Sequence, residues 1–165
     1  MKQQARFISI FTCLFFLVNC KNPTGEFIAN FGDNNFEAYT NVAVYFRSAD
    51  ENGDNIFFFD YLSDSCQSPF IVLIDRDTKR VKEIRSMNEK TACNVSSVES
   101  AKIADLTERF LQYKIVSLKV DKDGVVFINF NEHSNSGIIR VSKSELYKYC
   151  QNCYHIEGDW YSREQ

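Results

Sequence analysis

The chain has 165 residues, a formal net charge of −3 and an aromatic content of 15%. That length is one ordinary domain able to bury a core of its own, and such an aromatic load excludes a disordered tail. A mildly acidic chain without basic clusters also argues against nucleic-acid binding, which is dominated by phosphate neutralisation.

Taken in chain order, the first segment reads as an export signal. Lys2 and Arg6 give a positive start, and Phe7 to Val18 follow without a charge. Spanning a bilayer takes roughly 20 apolar residues, so this shorter run fits a secretory h-region better than a membrane helix. It ends in Leu17-Val18-Asn19-Cys20. This tetrapeptide resembles the lipobox of bacterial lipoproteins, in which the cysteine is diacylglycerylated and signal peptidase then cuts just before it. Asn19 stands where that class usually carries Gly, Ala or Ser. The resemblance covers only about the first 20 residues, and a motif this short is moderately specific. It implies a signal peptide over 1–19, lipidation at Cys20 and a lipid-anchored protein of the bacterial cell envelope. A tether over 20–25, containing Pro23 and Gly25, is then expected ahead of a single globular domain over 26–165. Two acyl chains hold where a single one binds only reversibly, so the membrane is an expected partner through Cys20. Lys21 is not the Asp linked with inner-membrane retention in some bacteria, which points to the outer membrane. Loss of Lys2 and Arg6 with the leader moves the net charge from −3 to −5, which speaks against electrostatic adhesion to an anionic surface.

Beyond the leader, strand-like runs are expected at 42–47, 56–62, 70–75 and 81–85, separated by turn-rich segments such as Asp50-Glu51-Asn52-Gly53-Asp54. Ser96-Ser97-Val98-Glu99 has capping-box spacing and opens a helix over about 97–114. Ile103, Leu106, Phe110 and Tyr113 form its apolar stripe. Strands 115–120 and 125–130 flank Asp121-Lys122-Asp123-Gly124, where Asp-Gly signals a hairpin. A strand at 138–141 follows, and Ser142 to Glu145 repeats the capping-box spacing ahead of a helix over 143–153. A last strand is expected at 155–161. The helices do not alternate with single strands, so the expected class is α+β: a mostly antiparallel sheet with the two helices on one face. Val72 to Asp77 echoes Leu118 to Asp123, and two hairpins with similar turn chemistry account for this without duplication.

The exported chain keeps Cys66, Cys93, Cys150 and Cys153 besides Cys20. In an oxidising compartment an even count reads first as disulfides, and four cysteines allow three pairings. Cys150-Gln151-Asn152-Cys153 is also a CxxC, open to a thiol-redox reading. A redox dithiol opens its helix, however, whereas this one is expected at a helix end, where the dipole raises the thiol pKa. A four-cysteine zinc site lacks knuckle spacing at Cys66 and Cys93.

The acidic loops fail the calcium-loop count from both Asp50 and Asp121, so they read as solvated turns. His133 and His155 fall in no metal or catalytic motif, and phosphate-cradling or nucleophile-elbow signatures are missing from the sequence. Ile56-Phe57-Phe58-Phe59-Asp60-Tyr61-Leu62 is apolar on both faces, as for a central buried strand, with an aromatic ligand-binding face as its alternative. No catalytic residue, metal or cofactor is expected. The sequence leans away from an enzyme and towards a non-enzymatic interaction or accessory module with a protein partner in the envelope. A thiol-redox protein using Cys150 and Cys153, or a binder of carbohydrate or another small ligand, are the alternatives.

Overall fold

The computed structural model describes residues 22–61, 69–87, 96–131 and 137–163. Cys20, Cys66, Cys93, Leu62 and His133 lie outside them. Helix α1 spans Pro23–Phe31, and a 3₁₀ turn follows at Glu37–Tyr39. Strands β1 (Val42–Ala49), β2 (Asn55–Tyr61), β3 (Phe70–Ile74) and β4 (Val81–Ser86) precede helix α2 (Ser97–Gln112). Then come β5 (Ser117–Val120), β6 (Val126–Asn129), β7 (Gly137–Arg140), helix α3 (Leu146–Tyr149), β8 (Cys153–Glu157) and β9 (Trp160–Arg163). The nine strands form one sheet in the order β4-β3-β2-β1-β5-β6-β7-β9-β8, and every strand pair in it is antiparallel. The α+β class and the mostly antiparallel sheet are therefore as expected.

Strand alternation divides the apolar residues between two faces. Val42, Val44, Phe57, Phe59, Phe70, Val72, Leu118 and Ile128 enter the main cluster together with Ile103, Leu106 and Phe110 of α2. The α2 cap forms as its spacing predicts. Ser96 Oγ accepts from Glu99 N, and the Glu99 carboxylate accepts from Ser96 N. This arrangement satisfies two of the helix's orphan amides. Tyr39 is buried in the same cluster, its hydroxyl donating to Leu106 O at 2.8 Å. Burial pushes its phenol pKa well above the ordinary value, with the neighbouring Tyr113 adding to the shift. A second cluster holds Val125, Ile139, Val141 and Tyr161, with Phe127, Leu146 and Tyr149 packed on it. Its strand residues have the opposite parity. The two expected helices thus serve different clusters, and α3 does not share the surface of α2. Ile139 and Tyr161 point away from α2 and need a cover of their own.

Three further departures have physical causes. Residues Pro23 to Gly25, expected in the tether, are the first turn of α1. Asn22 caps it by accepting from Thr24 N and Gly25 N, and Pro23 occupies a position that needs no amide donor. Phe27 anchors α1 among Phe31, Tyr113, Phe130 and Trp160 at centroid distances of 5.5–6.2 Å. The helix expected over 143–153 shrinks to α3, a single turn. Ser142 Oγ meets Ser144 Oγ instead of capping, Cys150 is extended, and Cys153 already belongs to β8. Pairing β8 against β9 overrides the local helical preference there. The expected strand at 155–161 is consequently a hairpin, turning at Gly158 with φ +52°.

Candidate functional site

The side of the sheet opposite α2 holds a concave groove of about 680 Å³ over β1, β5 and β6. It is built from residues that alternation sends outward. Tyr45 pairs with Ser117, Ser117 with Asn129, and Asn129 with Gly137, forming one row across the strands. Ala43, Lys119, Phe127 and Ile139 form the next row. Arg47 extends the same outward set. It has the parity of Ala43 and Tyr45 and lies where the register shifts between Phe46 and Ser48, as the extra residue of a bulge.

Arg163, which faces Gly137 across the β7–β9 ladder, has both a ring contact and a side-chain hydrogen bond. Its guanidinium lies over the Phe127 ring at 5.4 Å and donates from Nη2 to Asn129 Oδ1 at 3.0 Å. Asn129 is itself fixed, because its Nδ2 donates to Ser117 Oγ at 2.9 Å. This arrangement requires the glycine at 137. A Cβ there would stand 2.2 Å from Ile128 O and 2.3 Å from Asn129 Oδ1, so only a bare backbone lets the amide lie across it. Arg163 Nε is buried and has no hydrogen-bond partner among the described residues. Burial lowers the pKa of this guanidinium from its ordinary value. Lys119 Nζ lies 5.6 Å from the same Phe127 ring. Tyr45 packs edge-on against Phe58 at 5.3 Å. Its phenol pKa is raised by burial first and by Asp60 second, with Arg47 opposing. Burial likewise raises the Asp60 carboxyl, and Lys119 opposes.

The structure places the other sequence candidates elsewhere. Cys150 and Cys153 are joined in a disulfide, which selects one pairing for this couple among those the sequence left open. The bridge follows α3 and opens no helix, so the dipole that lowers the pKa of redox thiols is not directed at it. The acidic turns cap themselves. Asp50 Oδ1 accepts from Asn52 N and Asp54 N, and Asp121 Oδ1 accepts from Asp123 N and Val125 N. Among the described residues, no group of three or more His, Cys, Asp or Glu is arranged to hold a metal. His155 is exposed, its ring 5.3 Å from Tyr161 and its Nε2 2.9 Å from Gly158 O. The aromatic strand is central in the sheet, but the expected burial holds for one face only: Phe57 and Phe59 are buried, while Ile56 and Phe58 are half-buried on the groove side.

Sequence reasoning missed Arg47, Lys119 and Arg163. Lys119, alone among apolar neighbours, carried a signal: it is the outward charge of an alternating strand. Arg163 carried none, since its role depends on contacts with β6 and β7. No helix among the described residues is long and apolar enough to cross a membrane. No protein family, curated protein or solved structure matches the chain.

Proposed function

We propose that this chain is a lipid-anchored protein of the bacterial cell envelope that acts as a non-enzymatic binding module. Cys20 carries the lipid, and the open groove over β1, β5 and β6 is the contact surface. The observation behind this reading is the pre-assembled groove itself, in which Phe127, Asn129 and Ser117 hold Arg163 in one orientation. A held guanidinium beside a half-buried tyrosine is a recognition surface. Ser117 Oγ accepts from the Asn129 amide, which is no base, so the hydroxyl is not poised as a nucleophile. On the anchor side, only Lys21 and Asn22 separate Cys20 from the first residue of α1. The domain would thus stand directly on the bilayer, and Lys21 favours the outer membrane.

The test joins anchor and surface. Fed radiolabelled palmitate, cells that express the full chain should label its processed product, and Cys20→Ser should abolish the label. In the same envelopes, a photo-crosslinking residue at position 45 should form adducts, whereas one at the exposed Val98 of α2 should not. Label that survives Cys20→Ser would remove the anchor, and equal adduct yield at both positions would remove the groove.

A further inference from the structure

We infer that the groove takes an acidic saccharide, with Arg163 receiving its carboxylate. This rests on the proposed role of the groove as contact surface and assigns that surface a ligand class. The first ground is charge sorting. The whole chain is acidic, yet among the described residues the charged side chains lining this groove are Arg47, Lys119 and Arg163, with the carboxyl of Asp60 beyond Ala43 at its margin. A separate hollow beside α1 shows the opposite bias among the described residues, with Asp33, Glu157 and Asp159 against the single cation Arg140. Three cations against the one marginal Asp60 leave the described groove positive against the balance of the molecule, and a partner of complementary sign is selected there.

The second ground is the state of Arg163. Phe127 lies against the guanidinium and Asn129 Oδ1 takes one Nη2 hydrogen, which orients the group before any ligand arrives. A guanidinium carries five donors in a planar fork that matches a carboxylate. An arginine already ordered loses less entropy on binding than a free one. The third ground is the lining around it. Beside their mutual bond Ser117 keeps its hydroxyl hydrogen and Asn129 its second amide hydrogen, and Tyr45 supplies a ring. Such a mixture suits a ring bearing many hydroxyls better than an apolar ligand.

Topology disfavours an acidic peptide in extended form. Such a peptide gains its main-chain hydrogen bonds by adding to a free sheet edge. Here β1, β5 and β6 each have a partner strand on both sides.

The test uses the full chain in detergent, titrated calorimetrically with trigalacturonic acid and with maltotriose at low salt. The acidic trisaccharide should bind at least about tenfold tighter, and added salt should weaken it. Arg163→Gln should weaken it by about tenfold or more, the exposed Lys119→Gln by several-fold, and Arg163→Lys by an intermediate factor. Thermal melts report whether each variant folds. Where Arg163→Gln does not fold, Lys119→Gln decides, because its side chain is exposed. Equal binding of maltotriose, or unchanged affinity in Lys119→Gln and Arg163→Lys, would overturn the acidic ligand while leaving the groove as contact surface. Binding of a poly-glutamate peptide in place of both sugars would overturn the saccharide alone. Failure of every probe would overturn the ligand class. Failure of every probe together with absence of adducts at position 45 would overturn the contact surface as well.

Discussion

Gly137→Ala is the sharpest perturbation of the site, because it touches neither a charge nor an exposed atom. The new methyl would start 2.2 Å from Ile128 O and 2.3 Å from Asn129 Oδ1. Both distances are far inside van der Waals contact, and the first atom is backbone of a strand paired on both sides. Relief requires the β6–β7 pair to part and the Asn129 amide to swing away, which frees Arg163 and Ser117. Overpacking of this kind costs about 1–3 kcal/mol, and each kcal/mol lowers the melting temperature of a domain this size by roughly 2–4 °C. The assay is thermal unfolding by circular dichroism, run beside Gly25→Ala in α1. At Gly25 the nearest atoms to an added Cβ are 3.7 Å or more away, and removing a helical glycine gains up to about 1 kcal/mol. The two alanines should therefore move the melt in opposite directions, and only Gly137→Ala should weaken ligand binding at the groove. A Gly137→Ala chain that melts like the wild type would refute the claim that this glycine makes room for the Asn129–Arg163 contact.

Other predictions concern the frame. Phe27→Ala should undock α1 at a cost of about 3–5 kcal/mol at most, and the emission of Trp160, 5.8 Å from that ring, should shift to the red. Unchanged emission would place α1 elsewhere. The Asp54 carboxylate accepts from Lys82 Nζ at 2.6 Å and from Arg76 N, which hold its pKa below the ordinary carboxylate value, while hydrogen bonds from Thr78 do the same for Asp75. Groups depressed on folding contribute stability above their unfolded pKa and lose it as pH falls through the folded value. Stability should therefore drop below about pH 4, and Asp54→Asn should flatten that dependence; an unchanged acid limb would refute the pairing. The double change Cys150→Ser and Cys153→Ser should cost about 2 kcal/mol or less, because the bridge closes so short a loop. It should leave groove binding intact, as a titration of the double variant would show.

Local chemistry was legible wherever a residue's role depends on near neighbours. Ser96 and Glu99 announced the start of α2, and the Asp-Gly pair announced the β5–β6 turn. Asn22-Pro23 also carried a legible start for α1, as a cap followed by a proline at the first helical position. Its nearness to the leader masked that reading. Ser142 to Glu145 offered a cap of the same spacing as Ser96 to Glu99, yet only the latter formed. A helix continued to Cys153 would have removed the strand that covers the edge of β9, and ladder pairing prevailed.

By itself, the sequence determined the alternation that makes the strands, the cap that starts α2 and the antiparallel character of the sheet. Each follows from spacings of a few residues. Only the tertiary structure decided that Arg163, Phe127, Asn129 and Gly137 meet, and that α2 and α3 serve different clusters. These depend on strand order and register between segments far apart in the chain, and a one-residue slip in either would send the same side chains to the other face.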